Sequence, residues 1–199
     1  STLRKGKRSG ALWVATRGGG VSHFDGTDWL TYTEADGLVD NIVYAVATAP
    51  DGSVWVGTQG GAGHFDGTAW SSYTVADGLG GDVVWYVALT PDGDVWFSTH
   101  AGGVSRYSPG PNTWRTYGAG DGLPLPNARF LTVGPEGAPW LHIGYDNVYR
   151  FDGTAWQLAY EAGGGRWVCD VAFAADGSPW IATCGGLHTH GAGLAHLDG

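Results

Sequence analysis

The chain has 199 residues, including 36 glycines and 11 tryptophans, and is 43% hydrophobic and 13% aromatic. That apolar share excludes the disordered chain that glycine alone would suggest, and no run nears the ~20 apolar residues of a membrane-spanning helix. The formal net charge is -9 although Arg4, Lys5, Lys7 and Arg8 crowd the start; so acidic a remainder repels a phosphate backbone, which excludes nucleic acid and favours calcium or a cationic ligand.

Residues 1–10 hold one large apolar side chain, Leu3, and read as a basic tail or a weak closing strand. Short apolar runs follow at Leu12–Thr16, Gly20–Phe24 and Trp29–Thr33. The segment TEADGLVDN then leads into the clearest unit, Asn41 to Thr74. Its runs, Val43–Thr48, Val54–Thr58, Ala62–Phe65 and Trp70–Tyr73, are each closed by Gly, Pro, Asp or Ser. This pattern predicts four antiparallel strands joined by tight turns.

The first strand of a unit is expected at Ile42–Thr48, Val83–Leu89, Ala128–Val133 and Trp167–Phe173, followed by PDG, PDG, PEG and ADG. In such turns Asp bonds its own backbone and Gly accepts positive φ. FDG at 24–26, 65–67 and 151–153 turns the outer hairpin, and Ser108-Pro109-Gly110-Pro111-Asn112 is a longer version. The chain reaches Leu197-Asp198-Gly199 where a last outer strand would begin. Ring closure therefore falls to the N-terminal segment, or the sequence is a piece of something longer.

A landmark tryptophan recurs at Trp13, Trp55, Trp96, Trp140 and Trp180, in steps of 42, 41, 44 and 40 residues. A second series, Trp29, Trp70, Trp114 and Trp156, keeps nearly the same period. Four strands repeating at this spacing predict an all-β, five-bladed β-propeller of four-stranded antiparallel blades, with the first or last blade incomplete, occupying residues 11–199 as one domain.

The string from Asp36 to Gly67, DGLVDNIVYAVATAPDGSVWVGTQGGAGHFDG, resembles the two-component regulator propeller repeat, with its DGL loop, DG turn, W-x-G-T strand and glycine pair. LTPDGDVWFSTHAGGVSRYSPG, in the third unit, is similar to repeats of streptogramin (virginiamycin B) lyase propellers. The first resemblance implies a sensory or binding module in the periplasm or outside the cell. The second implies an enzymatic alternative in which a histidine acts as general base.

Antiparallel connectivity places the second-to-third loops and the blade crossings on one face of the molecule, the DG turns on the other. On the first face, positions where the copies differ are candidate ligand contacts: Arg17, Gln59 and His100 after the landmark strand; Tyr44, Trp85 and Arg129 near the start of the first strand; and Asp170 beside them. Tyr86 and Phe130 share the Asp170 position. Aromatic rings beside Arg, Gln and His suit a small polar molecule or a glycan, and a protein partner is the third option. The insertion after Cys184 places His188 and His190 at alternate positions, where with Cys184 or Asp170 they could ligate a divalent metal, zinc or calcium. Cys169 and Cys184 lie on paired strands and are either bridged or separate thiols. His23, His64, Arg106, Arg150 and His196 recur at one place and read as a structural device, and Asp36, Asp77 and Asp121 as turn formers. No nucleophile-base-acid set stands out. The expectation is therefore recognition rather than catalysis, against a lectin with sugar sites between blades and a lyase-like or metal-dependent enzyme using His100, His188 or His190.

Overall fold

The computed structural model describes residues 12–124, 127–144, 146–163, 166–185 and 193–197. They form eighteen strands in five antiparallel sheets, each built in simple meander order. Sheet one holds β1 (Leu12–Ala15), β2 (Val21–Phe24) and β3 (Trp29–Tyr32). Sheet two holds β4 (Val43–Thr48), β5 (Val54–Thr58), β6 (Ala62–Phe65) and β7 (Trp70–Tyr73). Sheet three holds β8 (Val84–Leu89), β9 (Val95–Thr99), β10 (Val104–Ser108) and β11 (Thr113–Tyr117). Sheet four holds β12 (Ala128–Val133), β13 (Pro139–Ile143), β14 (Asn147–Phe151) and β15 (Trp156–Glu161); sheet five holds β16 (Trp167–Phe173), β17 (Pro179–Cys184) and β18 (Gly193–His196). Five sheets agree with the five repeats; no described strand pairs the first sheet with the last.

Each crossing between sheets one to four is a cast of the DGL loop. Asp36, Asp77 and Asp121 accept the backbone N–H three residues earlier, from Thr33, Thr74 and Gly118, and close a single 3-10 turn. Gly37, Gly78 and Gly122 follow at φ near +100°, a conformation that costs other residues. Leu38, Leu79 and Leu123 are then driven into the space between neighbouring sheets and are buried. The motif thus reverses the chain and plugs the seam.

The landmark tryptophans project from the second strand toward the next sheet. Trp55 meets Phe97 and Tyr107, Trp96 meets Phe151 and Trp156, and Trp140 meets Phe173, at ring-centroid distances of 5.0–5.8 Å. Val54 and Val56, at alternate positions of the same strand, face the other way and join a cluster with Val21 and Leu38. Trp55, Trp96 and Trp140 are 3%, 2% and 6% exposed, whereas Trp180 is 36% exposed. At the other end, Leu12 and Trp29 are more than half exposed. Among the described residues, large apolar side chains on the outward faces of the first and last sheets are exposed, while the seams between consecutive sheets are packed.

His23, His64, Arg106, Arg150 and His196 are the cross-strand partners of the five landmark tryptophans. The imidazoles of His23, His64 and His196 lie 4.2–4.6 Å from their indole rings. Arg106 pairs with Asp94, and Arg150 reaches Glu136 at 3.0 Å, which also accepts the Trp140 indole N–H. The structural device acts within each sheet, clamping an indole, rather than between sheets.

Candidate functional site

The first strand of sheets two to five carries a β-bulge at one repeated place. Register slips between Val43 and Ala45, Val84 and Tyr86, Ala128 and Phe130, and Val168 and Asp170. The extra residues are Tyr44, Trp85, Arg129 and Cys169, one of the series in which the copies differ. A bulge breaks the strict alternation of strand side chains and re-aims the residue it adds. Here all four stand at the strand end next to the second-to-third loops.

Those loops are tied to the same strand ends by backbone bonds. The Gly18 and Gly20 N–H groups donate to the Asn41 carbonyl (3.0 and 2.9 Å), that of Gln59 to Ile42 (3.0 Å) and that of His100 to Val83 (2.8 Å). Arg17, Gln59 and His100 are thereby held beside the bulges. The Arg17 guanidinium lies 5.5 Å from the Tyr44 ring centroid, and the Tyr44 hydroxyl donates to Gln59 Oε1 at 3.3 Å. The Tyr44 and Trp85 rings are 4.6 Å apart, and His100 meets Trp85 edge-on at 6.1 Å. Contacts therefore run without a break from sheet one to sheet three.

Beyond Trp85 the surface opens into a cleft of about 400 Å³ spanning sheets three, four and five, within the usual range for small-molecule sites, roughly 300–1,000 Å³. Trp85, Tyr86 and Phe130 supply its aromatic wall, with the last two 5.4 Å apart. His100, Asn127, Arg129 and His142 supply its polar groups, and Cys169 closes one end. Asn127 Oδ1 accepts the Ala101 N–H at 2.9 Å, where Ala101 sits at φ +61°. That bond leaves the amide's two N–H donors and one carbonyl lone pair for the cleft. His142 is 8% exposed and stacks on Phe130 at 6.5 Å, and its Nδ1 is buried with no hydrogen-bond partner. Burial first, and the Arg129 charge second, push its pKa below the usual imidazole value, so the ring is neutral at pH 7.

Of the residues singled out in the sequence, Trp85, His100 and Arg129 line this cleft. Arg17, Tyr44 and Gln59 extend it along the same face. Asp170 does not line it; it is exposed, and its Oδ1 accepts the N–H of Val171 at 2.8 Å. Cys184 is bonded to Cys169 across the bulge of sheet five, with Cα atoms 6.0 Å apart. Its thiolate is consumed in that bridge, so it has none to offer a metal. His188 and His190 lie outside the described residues, and among the described residues no group of three or more His, Cys, Asp or Glu is placed to hold an ion.

His142 was not anticipated. Its place in β13, two residues after the landmark tryptophan, is taken by Ala15, Gly57, Ser98 and Ala182 in the other copies. A large imidazole where four copies keep a small residue was a legible signal. It belonged to a strand facing the seam rather than to the loops, where differences were sought.

Hollows on the opposite face lie between sheets. One of about 370 Å³, between sheets two and three, is lined by Trp55, His64, Tyr73, Tyr107 and Asp51; another of about 480 Å³, between sheets three and four, by Asp94, Arg106, Glu136, Arg150 and Asp152; a third of about 610 Å³, between sheets four and five, by Pro135, Glu136, Asp176 and Pro179. The first is largely aromatic, the second ionic and the third made of turn residues, so they are not copies of a single site.

Residues 37–60 match the family described as Two component regulator propeller. No curated protein matches the sequence. Among solved structures, the chain resembles the extracellular domain of BT4673 from B. thetaiotaomicron, described as a hybrid two component system, with a TM-score of 0.75 and 19% identity over 94% of this chain and 27% of that one. The corresponding domain of BT3049 from the same organism gives 0.69 and 15% over 94% and 27%. A streptogramin B lyase gives 0.71 and 15% over 95% of this chain and 65% of its own. At these identities the likeness establishes a shared β-propeller fold. The chain spans about a quarter of the length of the two Bacteroides structures.

Proposed function

We propose that this chain is a recognition module of a sensor, in which a five-bladed propeller scaffold binds one small polar ligand at the cleft bounded by Trp85, Arg129 and His142, without catalysing its conversion. The observation that carries the reading is the set of aligned bulges. One structural irregularity, repeated four times, aims four unlike side chains at one face, and three of them, Trp85, Arg129 and Cys169, line a single cleft. A packing device would be expected to repeat its chemistry as faithfully as the indole clamps do. The matched two-component regulator propeller repeat supports a sensory role, and an oxidising compartment, periplasmic or extracellular, is supported by the Cys169–Cys184 bridge.

A small molecule or one or two sugar rings fits the cleft volume better than a protein segment does. The lectin reading calls for like sites between blades, and the inter-sheet hollows differ in character. Screening the protein by thermal shift against glycans and small polar molecules tests the proposal. Hits should be lost in Trp85→Ala and kept in His64→Ala, which alters the hollow between sheets two and three. The reverse pattern would overturn it.

A further inference from the structure

We infer that the two end faces of this chain form a head-to-tail contact between copies of it. Trp180 of one molecule plugs the Phe24–Trp29 pair of the next and rebuilds the kind of seam that joins consecutive sheets.

Three internal seams show what such a face receives. The Phe65–Trp70, Tyr107–Trp114 and Phe151–Trp156 pairs, with ring centroids 4.8–5.4 Å apart, each take the stacked Trp and Tyr of the sheet before. Trp13 and Tyr32 meet Phe65 at 6.0 and 5.0 Å, Trp55 and Tyr73 meet Tyr107 at 5.5 and 5.4 Å, and Trp96 and Tyr117 meet Phe151 at 5.0 and 5.1 Å. Sheet one carries the same receiving pair, Phe24 and Trp29, 5.1 Å apart, but with Trp29 56% exposed. Cross-strand register puts Leu12, Val14, Ser22 and Thr31 on that face as well, and none of the six side chains is charged. Leu12 and Val14 stand where sheet two has Val54 and Val56 and sheet three has Val95 and Phe97. Those four are fully buried, whereas Leu12 and Val14 are 52% and 36% exposed.

Sheet five offers the other half. Trp180 holds the place that Trp13, Trp55 and Trp96 hold in their sheets. Leu194, opposite Ala182, holds that of Val21, Ala62, Val104 and Val148, which are fully buried while Leu194 is 65% exposed. Among the described residues this leaves one unfilled socket and one unseated plug, at opposite ends of a single chain. Uncharged apolar patches of this kind mark interaction surfaces. Two copies of the socket face have nothing to insert into each other, so the contact is heterologous, sheet five on sheet one. One seam lies at the small end of specific interfaces, roughly 1,200 Å² or less, so association is weak, with a dissociation constant on the order of 100 µM, and the molecules are separate at the ~10 µM of calorimetry.

Sedimentation velocity of the full chain reads the contact directly. The weight-average mass should rise from that of one chain as concentration goes from about 10 to about 500 µM. Trp29→Asp, which breaks the socket, and Trp180→Asp, which breaks the plug, should each weaken self-association at least about tenfold, as loss of a central aromatic anchor does. An equimolar mixture of the two variants should associate again, because the first keeps its plug and the second its socket, and it should stop at two chains. Circular dichroism checks that each variant is folded; should an Asp variant fail that check, Leu12→Lys and Leu194→Lys, on the same two faces, repeat the experiment. A parent chain that stays monomeric across the range overturns the inference, including the case in which sheet five closes onto sheet one of its own molecule. So does either variant associating as tightly as the parent, which would mean that like faces meet, or a mixture that stays monomeric.

Discussion

Replacing the same residue at two places in the repeat separates a packed seam from an open one. Trp96 is 2% exposed and lies between the stacked Tyr117 ring, 5.3 Å away, and the Phe151 and Trp156 rings of the next sheet at 5.0 and 5.8 Å. An aromatic side chain of this size buries roughly 200 Å², about 5 kcal/mol at ~25 cal/mol per Å², and large-to-small changes of this kind cost about 3–5 kcal/mol. Trp180 occupies the equivalent position in β17 but is 36% exposed, with the His196 ring 4.6 Å away on its own sheet. Its area contribution is at most about 3 kcal/mol, and truncation leaves an opening to water instead of a void, so Trp180→Ala should cost about 2 kcal/mol or less. In a protein near 200 residues each kcal/mol moves the melting temperature by roughly 2–4 °C. Calorimetry should therefore show Trp96→Ala melting about 10 °C below the parent and Trp180→Ala only a few degrees below. Equal losses would refute the reasoning, because they would mean that the outer face of sheet five is covered as fully as an internal seam.

Other outcomes follow from the site itself. Because burial and the Arg129 charge hold His142 below its ordinary pKa, the unfolded chain binds a proton that the folded protein does not, and stability falls as pH drops below about 6.5 and is level above it. His142→Gln should flatten that part of a stability-against-pH curve measured by urea unfolding; an unchanged slope would show that the imidazole is not held neutral. Reducing the Cys169–Cys184 bridge, which spans 15 residues, should remove about 3 kcal/mol of chain-entropy stabilisation. Hydrogen exchange should then quicken in β16 and β17 while β4 to β11 keep their protection, and uniform loss across the molecule would contradict a local role.

The scaffold was legible because its physics is local and repeated. Strand ends in sheet two coincide with the runs read from the sequence, since each run is followed within four residues by a Pro, Gly or Asp that turns the chain. The DGL loops were readable as turns, but the burial of Leu38, Leu79 and Leu123 was not, because which side chain fills a seam depends on the sheet that arrives later in the chain. At the mouth, comparing copies found Trp85, His100 and Arg129. It could not reveal that Tyr44, Trp85, Arg129 and Cys169 are bulge residues, since a bulge is a mismatch between two strands and leaves no mark on either alone. Asp170 stood out because its copies differ, yet it does not line the cleft, whereas Tyr86 and Phe130 at the equivalent position do. His142 became apparent only once the seam between sheets four and five was assembled.

The stoichiometry of binding bears most directly on the claim that unlike copies build one site. Isothermal titration of the full chain with a small polar ligand found in the thermal-shift screen should give a single site per molecule, abolished by Trp85→Ala and unaffected by His64→Ala. Several equivalents per chain, indifferent to Trp85, would contradict the account.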